Sequence, residues 1–150
     1  MSYLNKLQEM GYTLEPLELN AGRLMHAVRT GNLVYTSGQV SRWGDTLIKG
    51  KLGEDLTVEQ GYEAAKLCGL NCLRAVHQLV GLDNVVRVVK VLGMVNAGAG
   101  FTNTPGVIHG ASDLFINVFG EQGRHARSAV GMVIPDNFAV EVEAIFEVKQ

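Results

Sequence analysis

Between Val140 and Val148 the side chains alternate in character, Val140, Val142, Ala144, Phe146 and Val148 interleaving with Glu141, Glu143, Ile145 and Glu147. Successive side chains of a β-strand point to opposite faces, so this period of two dictates a strand with one apolar and one largely acidic face. An apolar face needs a second layer over it, which makes the last strand the constraint that the rest of the chain has to satisfy. The preceding segment alternates as well, with Arg127, Ala129 and Gly131 against Ser128, Val130 and Met132. Pro135-Asp136-Asn137 supplies turn chemistry between the two. The expectation is an antiparallel pair joined at Pro135 that brings Arg127 close to Glu141 and Glu143. A guanidinium beside small residues and near a carboxylate suits bidentate capture of a small carboxylate ligand. The plainer reading is a surface ion pair contributing ~0–1 kcal/mol.

The covering layer is legible in two helical stretches. Thr57-Val58-Glu59-Gln60 is a capping box, and Gly81 ends the helix it opens. Val58, Tyr62, Ala65, Gly69, Cys72, Val76 and Leu79 form its stripe, with small residues in the middle. Gly69 inside a helix costs ~1 kcal/mol against Ala, which a close approach of helix to sheet would offset. Cys68 and Cys72 are four apart on one helix face with no second ligand pair nearby, and read as buried thiols rather than a metal site. His77 lies off the stripe and reads as a half-buried or solvated side chain. A second helix is expected over residues 107–120, packing through Leu114, Phe115, Val118 and Phe119.

Further strands are expected at Leu24–Thr30 and Leu33–Val40, a hairpin turning on Gly31-Asn32, at Thr46–Gly50, and at Val85–Val95. Gly38, near the end of the second of these, marks either an ordinary strand irregularity or a place where a ligand approaches the backbone. Residues 96–110 read as a long loop with Gly98, Gly100, Gly106 and Gly110, a candidate wall for a ligand pocket. It lacks both the Gly-x-Gly-x-x-Gly pattern and a Gly-Lys-Ser/Thr ending, which argues against a phosphate cradle. His109 and His125 flank the second helix, and either can assist an anion or serve structure. Residues 3–10 carry Leu4, Leu7 and Met10 on one stripe, a short helix ended by Gly11. Pro16 keeps the following stretch extended.

The 150 residues, 47% hydrophobic and 19% charged, fit one domain spanning 1–150, of which 1–20 is an N-terminal helix and extended extension. The net charge is −2 and no Lys/Arg cluster occurs, so the electrostatic footprint of a nucleic-acid binder is missing. No apolar run is long enough to cross a bilayer and no leader pattern opens the chain, so a cytoplasmic protein is expected. The order of elements is βββ–α–β–α–ββ behind the N-terminal helix. That is an α+β two-layer sandwich, a mixed sheet with two main helices on one face. The uncovered sheet face calls for a homo-oligomer.

Two separated stretches resemble the RidA/YjgF family of imine/enamine deaminases. Thr30-Gly31-Asn32-Leu33-Val34-Tyr35-Thr36-Ser37-Gly38-Gln39 is similar to its strand motif. Arg127-Ser128-Ala129-Val130, with Pro135 and Val140-Glu141-Val142-Glu143-Ala144-Ile145, is similar to its C-terminal signature. The resemblance spans about residues 20–148 and implies a chorismate-mutase-like fold assembled as a homotrimer, with ligand sites between subunits. It also implies hydrolysis of small 2-imino acids, such as 2-iminobutyrate, to 2-oxo acids and ammonia, without metal or organic cofactor. By the same resemblance Arg127 binds the substrate carboxylate, Gly38 and Ala129 contact it through backbone amides with Ser37 alongside, and Glu141 positions the water. This chain departs from the family pattern where a tyrosine is replaced by Leu24 and a cysteine by Ala129. Those departures mark a divergent subfamily. They leave two other readings open: a trimeric protein that binds a small carboxylate without turnover, and a ribonuclease or translation inhibitor.

Overall fold

In the computed structural model, which describes residues 2–150, the chain opens with helix α1 (Tyr3–Glu9). The short strands β1 (Asn20–Ala21) and β2 (Leu24–Met25) follow, then β3 (Ala27–Thr30), β4 (Leu33–Thr36), β5 (Gln39–Val40), β6 (Arg42–Trp43) and β7 (Thr46–Leu47). Helix α2 (Val58–Val80), β8 (Val85–Asn96), α3 (Thr104–Phe119), β9 (Ala126–Met132) and β10 (Val140–Val148) complete it. The alternating strand β10 occupies the middle of a sheet ordered β3-β4-β10-β8-β9, with β5 pairing β10 beyond the end of β4. All pairings are antiparallel except β8 with β9. Helices α2 and α3 cover one face, so the chain is the α+β two-layer sandwich its patterning dictates.

The expected antiparallel pair across Pro135 does not form. β8 lies between β9 and β10, and residues 133–139 cross over its end. Asp136 and Asn137 turn the chain there in the left-handed region, at φ 55° and 58°. The reason lies in the connection through α3: a helical crossover returns the chain parallel to the strand it left, so β9 can only lie beside β8 in the same direction. Seven of the twelve residues of β8 are buried, the last four of them consecutive, and a strand of this kind needs a neighbour on each side. Two register shifts against β10, at Ile145/Phe146 and at Glu147/Val148, set Val85, Val88 and Val91 three residues apart. All three are thereby kept on the buried face.

The capping box of α2 is complete. The Gln60 N–H donates to Thr57 Oγ1 at 3.2 Å and the Thr57 N–H to Gln60 Oε1 at 2.8 Å. The loop expected over 96–110 is much shorter, because α3 starts at Thr104. Asn103 accepts the Gly106 N–H at 3.2 Å as N-cap, and Pro105 fits the first turn, where its missing N–H costs nothing. Gly106 and Gly110 are therefore helical, and Gly110 is where α3 crosses α2: a Cβ there would overlap the Tyr62 carbonyl. Gly69 likewise faces α3, through Leu114 and Ala111, not the sheet. The small stripe of α2 accordingly serves a close helix–helix contact.

The core lies between helices and sheet, with Phe115, Phe119 and Phe146 in edge-to-face contact at 5.7 and 6.4 Å. Cys68 and Cys72 are free and buried there. Burial pushes the Cys72 thiol up to about 12 and the Cys68 thiol well above its ordinary value, so both are neutral. Helix α1 inserts Leu7 into this core and sets Tyr3 edge-to-face against Phe119 at 4.8 Å. The opposite sheet face carries a small cluster of Met94, Ile134 and Phe138, and otherwise leaves Val28, Tyr35, Val130 and Met132 exposed. Among the described residues no helix is long and apolar enough to cross a membrane.

Candidate functional site

Arg127 sits near the start of the edge strand β9, level with Val91, and points to the helix side of the sheet. Its Nη1 donates to His109 Nδ1 at 3.0 Å and to Ser112 Oγ at 3.2 Å, both on α3. His125 extends the chain of bonds, with Nε2 2.9 Å from Ser112 Oγ and Nδ1 2.6 Å from the Gly123 carbonyl. The carbonyl requires Nδ1 to carry the proton, so Nε2 accepts the Ser112 hydroxyl and the hydroxyl oxygen accepts from Arg127. Burial lowers the His125 pKa, which keeps this acceptor neutral. Among the described residues no carboxylate lies within 4.0 Å of Arg127, so the surface ion pair weighed from sequence does not form. What exists is a guanidinium held by neutral groups, with its charge uncompensated.

Gly38 and Glu141 form a second group, on the other face. β4 ends at Thr36 and β5 resumes at Gln39, and the Ala144 N–H that this break strands is taken by Thr36 Oγ1 at 3.1 Å. Ser37 is pinned by its hydroxyl to the Met25 carbonyl at 2.6 Å and by its N–H to the His26 carbonyl at 2.9 Å. The Gly38 N–H finds no acceptor among the described residues. A Cβ at Gly38 would overlap the Glu141 carboxyl, so the glycine makes room for that side chain. Glu141 is half-buried while Glu143 is exposed. Burial, and then the charge of Glu143, push the Glu141 carboxyl above its ordinary range.

Two predictions follow from this corner. The elevated carboxyl means that the folded chain holds the Glu141 proton more tightly than the unfolded one. Stability from this source is therefore complete below the ordinary glutamate value of ~4.3 and is lost as pH rises through the folded-state value. Glu141→Gln should raise Tm by about 1–2 °C at pH 8, small because the group is half-exposed, and by nothing at pH 4. An equal gain at both pH values would assign the effect to packing instead. Gly38→Ala should leave Tm within ~2 °C, since the clash is with the end of a flexible side chain. It should expel the carboxyl into water, so that its pKa, followed by NMR, returns toward the ordinary range. An unmoved pKa would show that Gly38 does not shape this corner.

Arg127 and Glu141 do not meet within one chain. Glu141 is level with Met94 on the open face, Arg127 with Val91 on the helix face, and two strand spacings of ~10 Å separate β10 from β9. Ala129 accompanies Arg127 on β9, its carbonyl accepting the Thr104 hydroxyl at 2.9 Å. Leu24 lies on the short hairpin β1–β2, 50% exposed. Sequence reasoning set His125 two residues before Arg127, on the same side of the strand, but it did not bring His109 to the arginine and it passed over Ser112. The available signal was the i,i+3 spacing of His109 and Ser112, which places both on one face of a helix. Among the described residues no group of three or more His, Cys, Asp or Glu side chains could hold a metal ion.

Residues 7–147 match the family described as "YjgF/chorismate mutase-like, putative endoribonuclease". The chain belongs to the YjgF family. Protein TCP17 of Trypanosoma cruzi is 40% identical over 146 residues, covering 94% of this chain and 91% of that one. The crystal structure of Atu1372 from Agrobacterium tumefaciens, a protein of unknown function, superimposes with a TM-score of 0.89 at 37% identity over 99% of this chain and 94% of that one. The YjgF gene product of Escherichia coli shares the fold at a TM-score of 0.61 and 24% identity, covering 91% and 94% of the two chains. The YjgF fold thus extends over both groups of residues.

Proposed function

We propose that the chain hydrolyses small 2-imino or enamine acids to 2-oxo acids and ammonia, within a homotrimer whose sites lie between subunits. The observation that carries this reading is the Arg127 guanidinium, oriented by His109 and Ser112 and paired with no carboxylate. A planar cation with free donors suits bidentate capture of the substrate carboxylate. The separation of Arg127 from Gly38 and Glu141 supports a site completed by a second copy, in which the edge strand β9 of one subunit faces the Gly38 corner of its neighbour. The exposed apolar side chains Val28, Tyr35, Val130 and Met132 on the open face support association of copies.

The chemistry asks little more of the protein. A protonated imine is already electrophilic. Water adds to the C=N carbon while Glu141 takes its proton, and an elevated carboxyl pKa matches that role near neutral pH. The Glu141 carboxyl then returns that proton to the carbinolamine nitrogen, the C–N bond breaks to release ammonia, and the hydroxyl gives its proton back to the Glu141 carboxylate as its oxygen becomes the C=O of the 2-oxo acid. Ammonia or 2-oxo acid release from 2-iminobutyrate and 2-iminopropionate generated in situ, with wild type against Arg127→Ala, tests the reading. Wild-type acceleration that the variant loses supports it, and no acceleration by either protein overturns it.

One observation favours the alternative of binding without turnover: Leu24, in place of the family tyrosine, brings no hydroxyl to the site. Saturable binding of a 2-oxo acid without ammonia release would select it. RNA cleavage, the activity in the family's description, sits poorly with a net charge of −2 and would require affinity that falls steeply with salt.

A further inference from the structure

The N-terminal extension builds a second polar cleft, away from both Arg127 and Glu141. Residues 11–17 run along α2 and are clamped there by Arg74, whose Nε donates to the Glu15 carbonyl at 2.8 Å and whose Nη2 donates to the Pro16 carbonyl at 2.5 Å. The Leu17 N–H donates to Gln78 Oε1 at 3.0 Å, one helical turn further on. Between this strap, α2 and the β6–β7 hairpin lies a cavity of about 450 Å³ whose lining includes Arg42, Trp43, Asn71, Arg74 and Glu15. A second cavity of about 300 Å³ shares Arg42, Asn71 and Arg74 and continues toward His26 and Gly38.

The polar groups of this cleft are fixed but not used up. Asn71 Nδ2 donates to the Arg42 carbonyl at 2.7 Å and to the Leu67 carbonyl at 3.1 Å, which leaves its Oδ1 without a protein donor. Arg74 keeps Nη1 free once Nε and Nη2 are spent on the strap, and the Arg42 guanidinium has no protein acceptor among the described residues. Neither arginine is within 4.0 Å of a carboxylate, although the chain has more acidic than basic residues. Two like charges lining one cavity repel each other, and a dianion between them reverses the sign of that term. The indole of Trp43 supplies an apolar wall and Asn71 Oδ1 an acceptor for a ligand hydroxyl, while the exposed Glu15 carboxylate in the same lining offsets part of the attraction for an anion.

We propose that this cleft is a binding site for a small dianion, a phosphate ester or a dicarboxylate, held between Arg42 and Arg74 against Trp43. It is separate from the carboxylate site at Arg127 and does not depend on the deaminase reading.

Trp43 is the only tryptophan in the chain, so its emission reports this cleft alone. Inorganic phosphate and succinate, titrated in turn at constant ionic strength into wild type, Arg127→Ala, Arg42→Ala and Arg74→Lys, test the proposal by Trp43 emission and calorimetry. Arg74→Lys keeps a charge at that position, and Arg42 is exposed, so neither change should unfold the chain. The expected result is saturable binding of at least one probe, unchanged in Arg127→Ala and weakened at least tenfold in Arg42→Ala. The probe that saturates at the lower concentration distinguishes a phosphate from a dicarboxylate ligand. Absence of saturable binding of either probe, or binding that Arg42→Ala leaves intact or Arg127→Ala abolishes, overturns it.

Discussion

Arg127→Ala is expected to lower kcat/KM for 2-iminobutyrate by ~10²–10³-fold, the consequence of removing one partner of a desolvated, hydrogen-bonded charge pair. Part of the loss should fall on KM, as uniform binding of the carboxylate disappears. Part should fall on kcat, because an unanchored imine spends less time aligned with the attacking water. Arg127→Lys separates charge from geometry: it restores a cation but not the planar fork, and should recover only a fraction of the rate. The fold should survive either change, since Arg127 lies on an edge strand and its partners His109 and Ser112 keep other contacts or water. Steady-state rates beside a thermal melt check this. An undiminished rate in Arg127→Ala would move the site away from β9.

Gly110→Ala is expected to cost about 3–5 kcal/mol, in the range for severe overpacking, and to lower Tm by roughly 6–15 °C. The added methyl would meet the Tyr62 carbonyl, which belongs to the backbone of α2 and cannot swing aside as a side chain can. The helices would have to separate, stripping Ala65, Ala111 and Leu114 of contacts across the interface. Gly69→Ala is the internal control. Its Cβ would lie 3.0 Å from Leu114 Cδ2, a terminal methyl that can turn away, and the gain in helix propensity of ~1 kcal/mol offsets the crowding. That variant should melt within ~3 °C of wild type. Equal loss in both variants would mean that the helix contact yields as a whole, and the distinction between backbone and side-chain neighbours would fall.

Elements whose cause is local were legible in advance. The alternation from Val140 to Val148, the capping box at Thr57 and Gln60, the Gly31-Asn32 turn and the stop at Gly81 all act within a few residues of chain, and each stands where the sequence put it. The start of α3 was equally local but was hidden by glycines. Gly98, Gly100 and Gly106 suggested a loop, while Asn103 and Pro105 carried the capping signal that prevails. Gly110 could not be read correctly at all, because its reason is a carbonyl 48 positions away in α2, supplied only when the helices pack.

The same division runs through the site. That Arg127 and Gly38 stand out was a matter of residue type and spacing, whereas Glu141 was set apart from Glu143 only by the family resemblance, and the sequence alone determined a two-layer α+β sandwich with a guanidinium on one strand and carboxylates on another. Which strands are neighbours was decided by the tertiary structure. The crossover through α3 forces β9 to run parallel to β8, so β8 separates Arg127 from Glu141 and the twofold alternation of side chains puts them on opposite faces. The joining of His109, Ser112 and His125 to Arg127, and the cleft between the N-terminal strap and α2, are likewise products of packing. Period and capping are properties of a short stretch of chain, whereas pairing order and shared cavities depend on contacts between residues far apart in sequence, and those exist only once the chain has folded.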